Sequence, residues 1–488
     1  MRYLPDVLGP GFGAAKLRLE PDQMSPRSAT LVRYTPAEDP KSQLPDRIVP
    51  VNVKPGGGPN QGSFRILPPS ASPQQRAGSN SQSDVSARWD DSPARNLDYL
   101  QDYLTPELRG REITVLDELD APSAPQFIAV YVHGWNDYFY QAHLARMMTH
   151  LGAAFYGIDL HRYGRNMPRR SGLIPFNCYE DDYTTYDREL DWAIATARQE
   201  HPDLPVVVMA HSNGGAVVSG WASRHHDAYD GLIFISPWVV QDVSGIPAGN
   251  TVSTVISKYL KGLHVPMLGP GSTVYQDSLA GYATIGSPLP RRLVPFGNDP
   301  AVCGWVTNPQ WRIVDGAPIL FGWLSAILST QQWLVDHARF SNQPVLCLTA
   351  AHDPDAFYHP EIARIDSLMA KKWQSAGKTP LRRNLEKRRL YLSTMSKHIR
   401  ERDNSSERDY SYKTALVDWT EAARHTDTVL NGNLIEDRIN TLYGRVGGGL
   451  TLQQMSGLHD LTLSQPMERA EFFAEVAAWI SHSGILNK

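Results

Sequence analysis

Cysteine is scarce: Cys178, Cys303 and Cys347 are the only three in 488 residues. They lie far apart with no C-x-x-C spacing, which excludes a disulfide framework, a zinc knuckle and a thioredoxin-like pair. An excess of either charge is also missing. Lys plus Arg number 47 against 51 Asp plus Glu, a formal net charge of −4, so the whole-chain field attracts no polyanion and a nucleic-acid-coating role is excluded. No apolar run approaches the ~18 residues that a membrane span needs. The opening Met1-Arg2-Tyr3-Leu4-Pro5-Asp6 has no apolar stretch of signal-peptide length, and the expected setting is cytoplasmic. No Gly-rich phosphate loop follows a strand-like run and no His, Cys or carboxylate cluster has ligand spacing, so neither a cofactor nor a metal is expected.

What is present is a regular alternation. Short runs apolar on both faces recur at Phe127–Val132, Ala154–Ile158, Val206–Met209, Leu232–Ile235 and Val345–Leu348, the pattern of buried parallel strands. Helical spacing appears between them, as in Leu190, Ala193, Ile194 and Ala197. Two further strand-like runs, Lys16–Leu19 and Ala29–Tyr34, open the chain. The expected fold class is α/β, a mostly parallel doubly wound sheet with helices on both faces, forming one domain over residues 1–488.

Three stretches interrupt the alternation. Residues 36–97 hold ten Pro, five Gly and nine Ser in 62 positions, too little apolar surface to offset ordering entropy, so most of this insertion is expected to be flexible. Residues 237–344 show no clear period and are long enough to cap one end of the sheet. Residues 358–413 read as a basic helical insertion, with eleven Lys or Arg against two Glu between positions 371 and 402. A solvated face is the ordinary reading of such a run; contact with an anionic membrane surface is the sharper one.

The chemistry centres on Val206-Val207-Val208-Met209-Ala210-His211-Ser212-Asn213-Gly214-Gly215. A nucleophilic Ser on a sharp strand-to-helix turn needs small residues two positions either side, here Ala210 and Gly214, because the flanking backbones approach closely. The second element, Val132-His133-Gly134-Trp135, follows the first long strand, where a Gly lets the Trp135 N–H face the same point as the Asn213 N–H. Two such donors form an oxyanion hole. A serine hydroxyl needs a base, and His459 fits by position. It lies just after the strand-like run Leu450–Met455 and before a final helix over 467–480, whereas His225 and His226 sit in the helical region after the Ser212 turn. Asp427 is preferred as the acid, 32 residues before His459 and separated from it by a single helix and strand; Asp353, 106 residues before, is the alternative.

With the order Ser212, Asp427, His459, the chain resembles the α/β-hydrolase fold family, and within it the monoacylglycerol lipase, lysophospholipase and serine-aminopeptidase-like branch. The branch motif H-G-x-G-E-H is matched by His133-Gly134-Trp135-Asn136-Asp137-Tyr138, with Asn, Asp and Tyr as departures. D-x-R-G-H-G-x-S is matched by Asp159-Leu160-His161-Arg162-Tyr163-Gly164-Arg165-Asn166, and G-H-S-x-G-G by Ala210-His211-Ser212-Asn213-Gly214-Gly215. A closer likeness is to bacterial α/β-hydrolases that share the opening Asp6-Val7-Leu8-Gly9-Pro10-Gly11, the block Tyr131–Phe139, the acid loop Asp427–Leu430 and the ending Gly457–Ser464. The resemblance covers both ends of the chain and most of its length apart from the insertions. It implies a serine hydrolase that cleaves medium- or long-chain acyl esters such as monoacylglycerols or lysophospholipids, and it supports Asp427 as acid. An aminopeptidase-like amide hydrolase and a catalytically idle binding protein are the alternatives.

Overall fold

The two-sided apolar runs form the centre of a nine-stranded sheet in the computed structural model. Its description covers residues 1–22, 27–40, 42, 122–168, 176–240, 279, 299–313, 317, 319–351, 426–427, 429–444 and 446–487, plus strand backbone at 48–53, 62–66 and 113–115. The strands in chain order are β1 (Leu4–Pro5), β2 (Phe12–Leu19), β3 (Arg27–Tyr34), β4 (Ile48–Val53), β5 (Gly62–Ile66) and β6 (Ile113–Val115). They continue with β7 (Phe127–Val132), β8 (Ala153–Asp159), β9 (Val206–His211), β10 (Gly231–Ile235), β11 (Val345–Ala350) and β12 (Leu450–Met455). In space the large sheet runs β1-β2-β3-β8-β7-β9-β10-β11-β12. From β8 to β12 every pairing is parallel, while β1, β2 and β3 add an antiparallel edge.

This order positions the site. The chain moves outward from β7 to β8, then returns on the other side of β7 as β9 and continues to β12. Connections leaving β7 and β9 diverge there, and a crevice opens beyond the carboxyl ends of the two strands. Register places Val132 at the end of β7 beside Ala210, and Ile235 of β10 beside His211.

Alternate residues of each strand bury on opposite faces, as the two-residue period requires. Ile128, Val130, Val206, Val208 and Leu232 pack with the helices Asp187–Glu200, Asn213–Arg224, Phe321–His337 and Gly432–Tyr443. Phe127, Ala129, Val207, Met209 and Ile233 pack with Ala142–His150 and the final helix Pro466–His482. The helix Phe321–His337 lies within a stretch where the sequence shows no period, because Trp323, Leu324, Ile327, Leu328 and Trp333 leave little polar contrast around its circumference.

Two parts of the expected 36–97 insertion are strands: β4 pairs with β5 and with β6, all antiparallel, in a separate three-stranded sheet. Most of that insertion, and all of the basic stretch 358–413, lie outside the described residues. No helix among the described residues is long and apolar enough to cross a membrane.

Just beyond β8 a buried ion cluster fastens the sheet to the helix Asp187–Glu200. His161 is fully buried, with Nδ1 against Glu189 and Nε2 2.7 Å from Glu180, and its backbone N–H also donates to Glu189. Burial alone pulls the imidazole down, but the flanking carboxylates outweigh it and push His161 up to about 9. A pKa raised above the unfolded value near 6.5 gives stability that is complete below that value and lost as the pH climbs through about 9. Thermal unfolding followed by circular dichroism should therefore show the melting temperature dropping between about pH 7 and 10. His161→Gln should flatten this slope and cost about 3–5 kcal/mol, as expected when one partner of a buried pair is removed.

Candidate active site

At the end of β9 the chain reverses into the helix Asn213–Arg224 within one residue. Ser212, at φ 50° and ψ −119°, occupies a left-handed conformation that L side chains rarely adopt. Its N–H donates to Ile235 O of β10, while its carbonyl accepts from Gly215 N and Trp238 N. Close approach makes the turn possible. A Cβ on Gly214 would lie 2.6 Å from His133 O, and one on Gly215 would lie 2.4 Å from Pro237 Cβ. The neighbourhood rule that singled out Ala210 and Gly214 is obeyed, with Gly215 as a further close-packed position.

Ser212, His459 and Asp427 converge from three strand ends. His459 Nε2 lies 2.9 Å from Ser212 Oγ, and His459 Nδ1 lies 2.8 Å from Asp427 Oδ2. The other Asp427 oxygen accepts from Val429 N at 2.7 Å and Leu430 N at 2.8 Å, so the carboxylate is aimed by its own turn. Asp427 and His459 are buried and Ser212 is 8 % exposed. Nδ1 must carry the proton to pair with the carboxylate, which leaves Nε2 to accept from the serine hydroxyl. Asp427 reaches this place because its N–H donates to Ala351 O at 2.7 Å, directly beyond β11. The chain thus leaves the sheet at Ala351 and returns at Asp427 to the same spot. Asp353 lies outside the described residues, and His225 and His226 contact other parts of the surface, at Trp221 O and Arg339 O.

The two expected oxyanion donors flank this serine. Asn213 is the first residue of its helix, where the N–H has no intrahelical acceptor. Its side chain is held by Tyr183 Oη, which donates to Asn213 Oδ1 at 2.8 Å. No described residue accepts either the Asn213 or the Trp135 backbone N–H. His133 sets the direction of the second donor. Its Nδ1–H donates to Gly134 O at 2.7 Å while its Nε2 accepts from Leu160 N at 3.1 Å. Burial holds the ring below its ordinary pKa, hence neutral. The Gly134 carbonyl and the Trp135 N–H share one planar peptide and point opposite ways, so anchoring the first orients the second.

Beneath the triad lies a buried polar cluster whose roles the sequence reading did not assign. Asp137, His211 and Asp460 each offer a ligand atom within 4.8 Å of the others. Arg312 already stands 3.3 Å from Asp137, and Asp460 accepts from Gln141, Thr462 N and the Thr462 hydroxyl, so a guanidinium serves here as the cation. Burial pushes Asp137 up to about 7 despite Arg312, raises Asp460 and drives His211 far down. Arg165 performs a second unassigned task. It bridges Asp6 at 2.6 and 2.7 Å, Asp159 at 2.9 Å and Phe139 O at 2.9 Å, joining the opening motif to the loops after β7 and β8. The signal for it was the match of residues 159–166 to a family motif, which marks the segment without saying what each side chain does.

A sequence model described as serine aminopeptidase, S33 (Hydrolase_4) matches residues 123–374. The chain belongs to this family. Among curated relatives, a monoacylglycerol lipase of Mycolicibacterium smegmatis is 25 % identical over 155 residues, covering 32 % of this chain and 53 % of that protein. The human monoglyceride lipase is 25 % identical over 128 residues, covering 26 % and 39 %. This chain therefore spans about half the length, or less, of the curated relatives it matches. Similar solved structures include a soluble variant of the Saccharomyces cerevisiae monoglyceride lipase, at TM-score 0.43 and 10 % identity over 75 % of this chain and 89 % of that one. The Paleococcus ferrophilus monoacylglycerol lipase aligns at TM-score 0.39 and 13 % identity, over 74 % and 96 %. The family match and the strand order of the sheet show the expected α/β-hydrolase fold in this S33 family member.

Gly215 gives the turn its most direct test. An added methyl would meet Pro237 Cβ at 2.4 Å and Pro237 Cα at 2.9 Å, overpacking that typically costs about 1–3 kcal/mol. Urea denaturation should show Gly215→Ala destabilised by that amount, whereas Gly449→Ala, with no atom within 4 Å of its added Cβ, should lose only through its positive φ of 88°.

Proposed function

We propose that this S33 family member is a serine hydrolase that cleaves carboxylic esters through an acyl-enzyme on Ser212. One observation carries the reading: an unbroken hydrogen-bond chain from Ser212 Oγ through His459 to Asp427, 2.9 and 2.8 Å long. Ser212 Oγ attacks the ester carbonyl as His459 Nε2 takes its proton. The tetrahedral oxyanion meets the N–H groups of Trp135 and Asn213, and His459 hands the proton to the departing alcohol. A water then repeats the cycle, with His459 again as base, to release the acid. Asp427 holds the productive tautomer and stabilises the imidazolium. No step requires a cofactor.

The likeness to monoacylglycerol lipases favours acyl glycerol esters as the substrate class, with a monoacylglycerol or lysophospholipid as the concrete substrate, and residues 237–344 are proposed as a cap that shapes the acyl site. The basic stretch 371–402 remains the proposed site of contact with an anionic membrane. The S33 model carries an aminopeptidase description, so an amide substrate is the competing outcome.

Turnover of p-nitrophenyl esters of increasing chain length, set against aminoacyl p-nitroanilides, separates the two. The proposal expects ester cleavage with a preference for medium or long chains. Ser212→Ala should lower kcat by roughly 10⁴- to 10⁶-fold. Asp427→Asn should lower it by about 10⁴-fold and Asp353→Asn only slightly; the reverse ranking would reassign the acid.

A further inference from the structure

The segment Asp299–Ile313 touches both loops on which acyl transfer depends. On one side the Trp305 indole N–H donates to Leu463 O at 2.8 Å, four residues past His459. On the other, Asn136 exchanges two hydrogen bonds with the Ile313 backbone: Ile313 N donates to Asn136 Oδ1 at 3.0 Å, and Asn136 Nδ2 donates to Ile313 O at 2.9 Å. Arg312 adds contacts to Asp137 Oδ1 at 3.3 Å and Tyr140 Oη at 3.2 Å.

Asn136 directly follows Trp135, and its backbone is left-handed at φ 52°. The family motif has Gly at this position, and Asn is among the few other residues that enter this region readily. Asn also supplies what Gly lacks, an amide able to imitate a backbone bridge to another segment. The Trp135 residue is thereby held from both sides, by His133 through the preceding peptide and by Asn136 through the following one.

We propose that Asn136 is a positioning residue for acyl transfer: its paired hydrogen bonds to Ile313 couple the docking of Asp299–Ile313 to the aim of the Trp135 N–H at the oxyanion. The inference rests on the acyl-transfer reading above.

Its test uses the full chain and p-nitrophenyl acetate, an acyl group too short to exploit an extended acyl site. Asn136→Gly keeps the backbone conformation and removes the clamp; Asn136→Asp keeps acceptance from Ile313 N and loses donation to Ile313 O. Removing one oxyanion donor typically costs about 10²- to 10³-fold in kcat, and misaiming it should cost part of that. The expected result is a drop in kcat of about 10- to 100-fold for Asn136→Gly, an intermediate value for Asn136→Asp, and KM within about twofold for both. A trifluoromethyl ketone checks the cause. Ser212 Oγ adds to its carbonyl carbon, the carbonyl oxygen becomes the oxyanion and the serine proton passes to His459. Its inhibition constant should rise by the factor by which kcat/KM falls, a correlation that a merely structural role would not produce.

Unchanged kcat in both variants, or a lower melting temperature with kcat preserved in the folded protein, overturns the proposal while the triad reading stands, provided that Ser212→Ala is inactive in the same assay. Wild-type turnover no greater than that of Ser212→Ala overturns both. If Asn136→Gly does not fold, Asn136→Asp decides by the same kcat and inhibition criteria.

Discussion

The strained backbone at Ser212 is the constraint on which the site depends. A non-glycine residue at φ 50° is costly, typically about 1–3 kcal/mol, and persists only where its surroundings over-determine it. Here they do so through three backbone hydrogen bonds from β10 and the start of the next helix and connection, and through two glycines packed so closely that no side chain fits. The strain sets the hydroxyl at the crevice where β7 and β9 part, within reach of groups delivered by β11 and β12. Apolar packing on both faces of the parallel strands makes that frame rigid enough to hold the strain.

Much of this frame was legible in the sequence because buried parallel strands leave a strong signature. The run 127–132 and the run 450–455 coincide with β7 and β12, those of β3, β8, β9, β10 and β11 differ from their strands by one or two residues at an end, and the run Lys16–Leu19 begins four residues into β2. Ser212 and His459 could be placed because each follows such a run and precedes a helix. Asp427 was harder, since about 75 residues separate it from the strand end it serves. A backbone hydrogen bond to Ala351 reveals that the two meet, and a loop-closing contact of that kind leaves no periodic trace. Long insertions at such a point are thermodynamically tolerable, because closure entropy grows only with the logarithm of length.

What the sequence did not disclose is the polar scaffolding. Arg165 holding Asp6 and Asp159, His161 between two glutamates, and Arg312 against Asp137 all join residues that are remote in the chain or lie in segments without a period. Burial makes each pairing consequential: a carboxylate or imidazole removed from water changes its pKa or finds a partner, and both outcomes occur here. The helix Phe321–His337 escaped notice for the opposite reason, being apolar on too many sides to show a stripe.

In the proposed reaction Ser212 Oγ carries the acyl group between the two half-reactions. Acid-quenched intact-mass spectrometry of the protein mixed with a p-nitrophenyl ester, followed by peptide mapping, tests it most directly. The expected result is a transient adduct of one acyl mass on the peptide containing Ser212, absent from Ser212→Ala. An adduct on a different residue, or ester turnover that survives in Ser212→Ala at the wild-type rate, would contradict it.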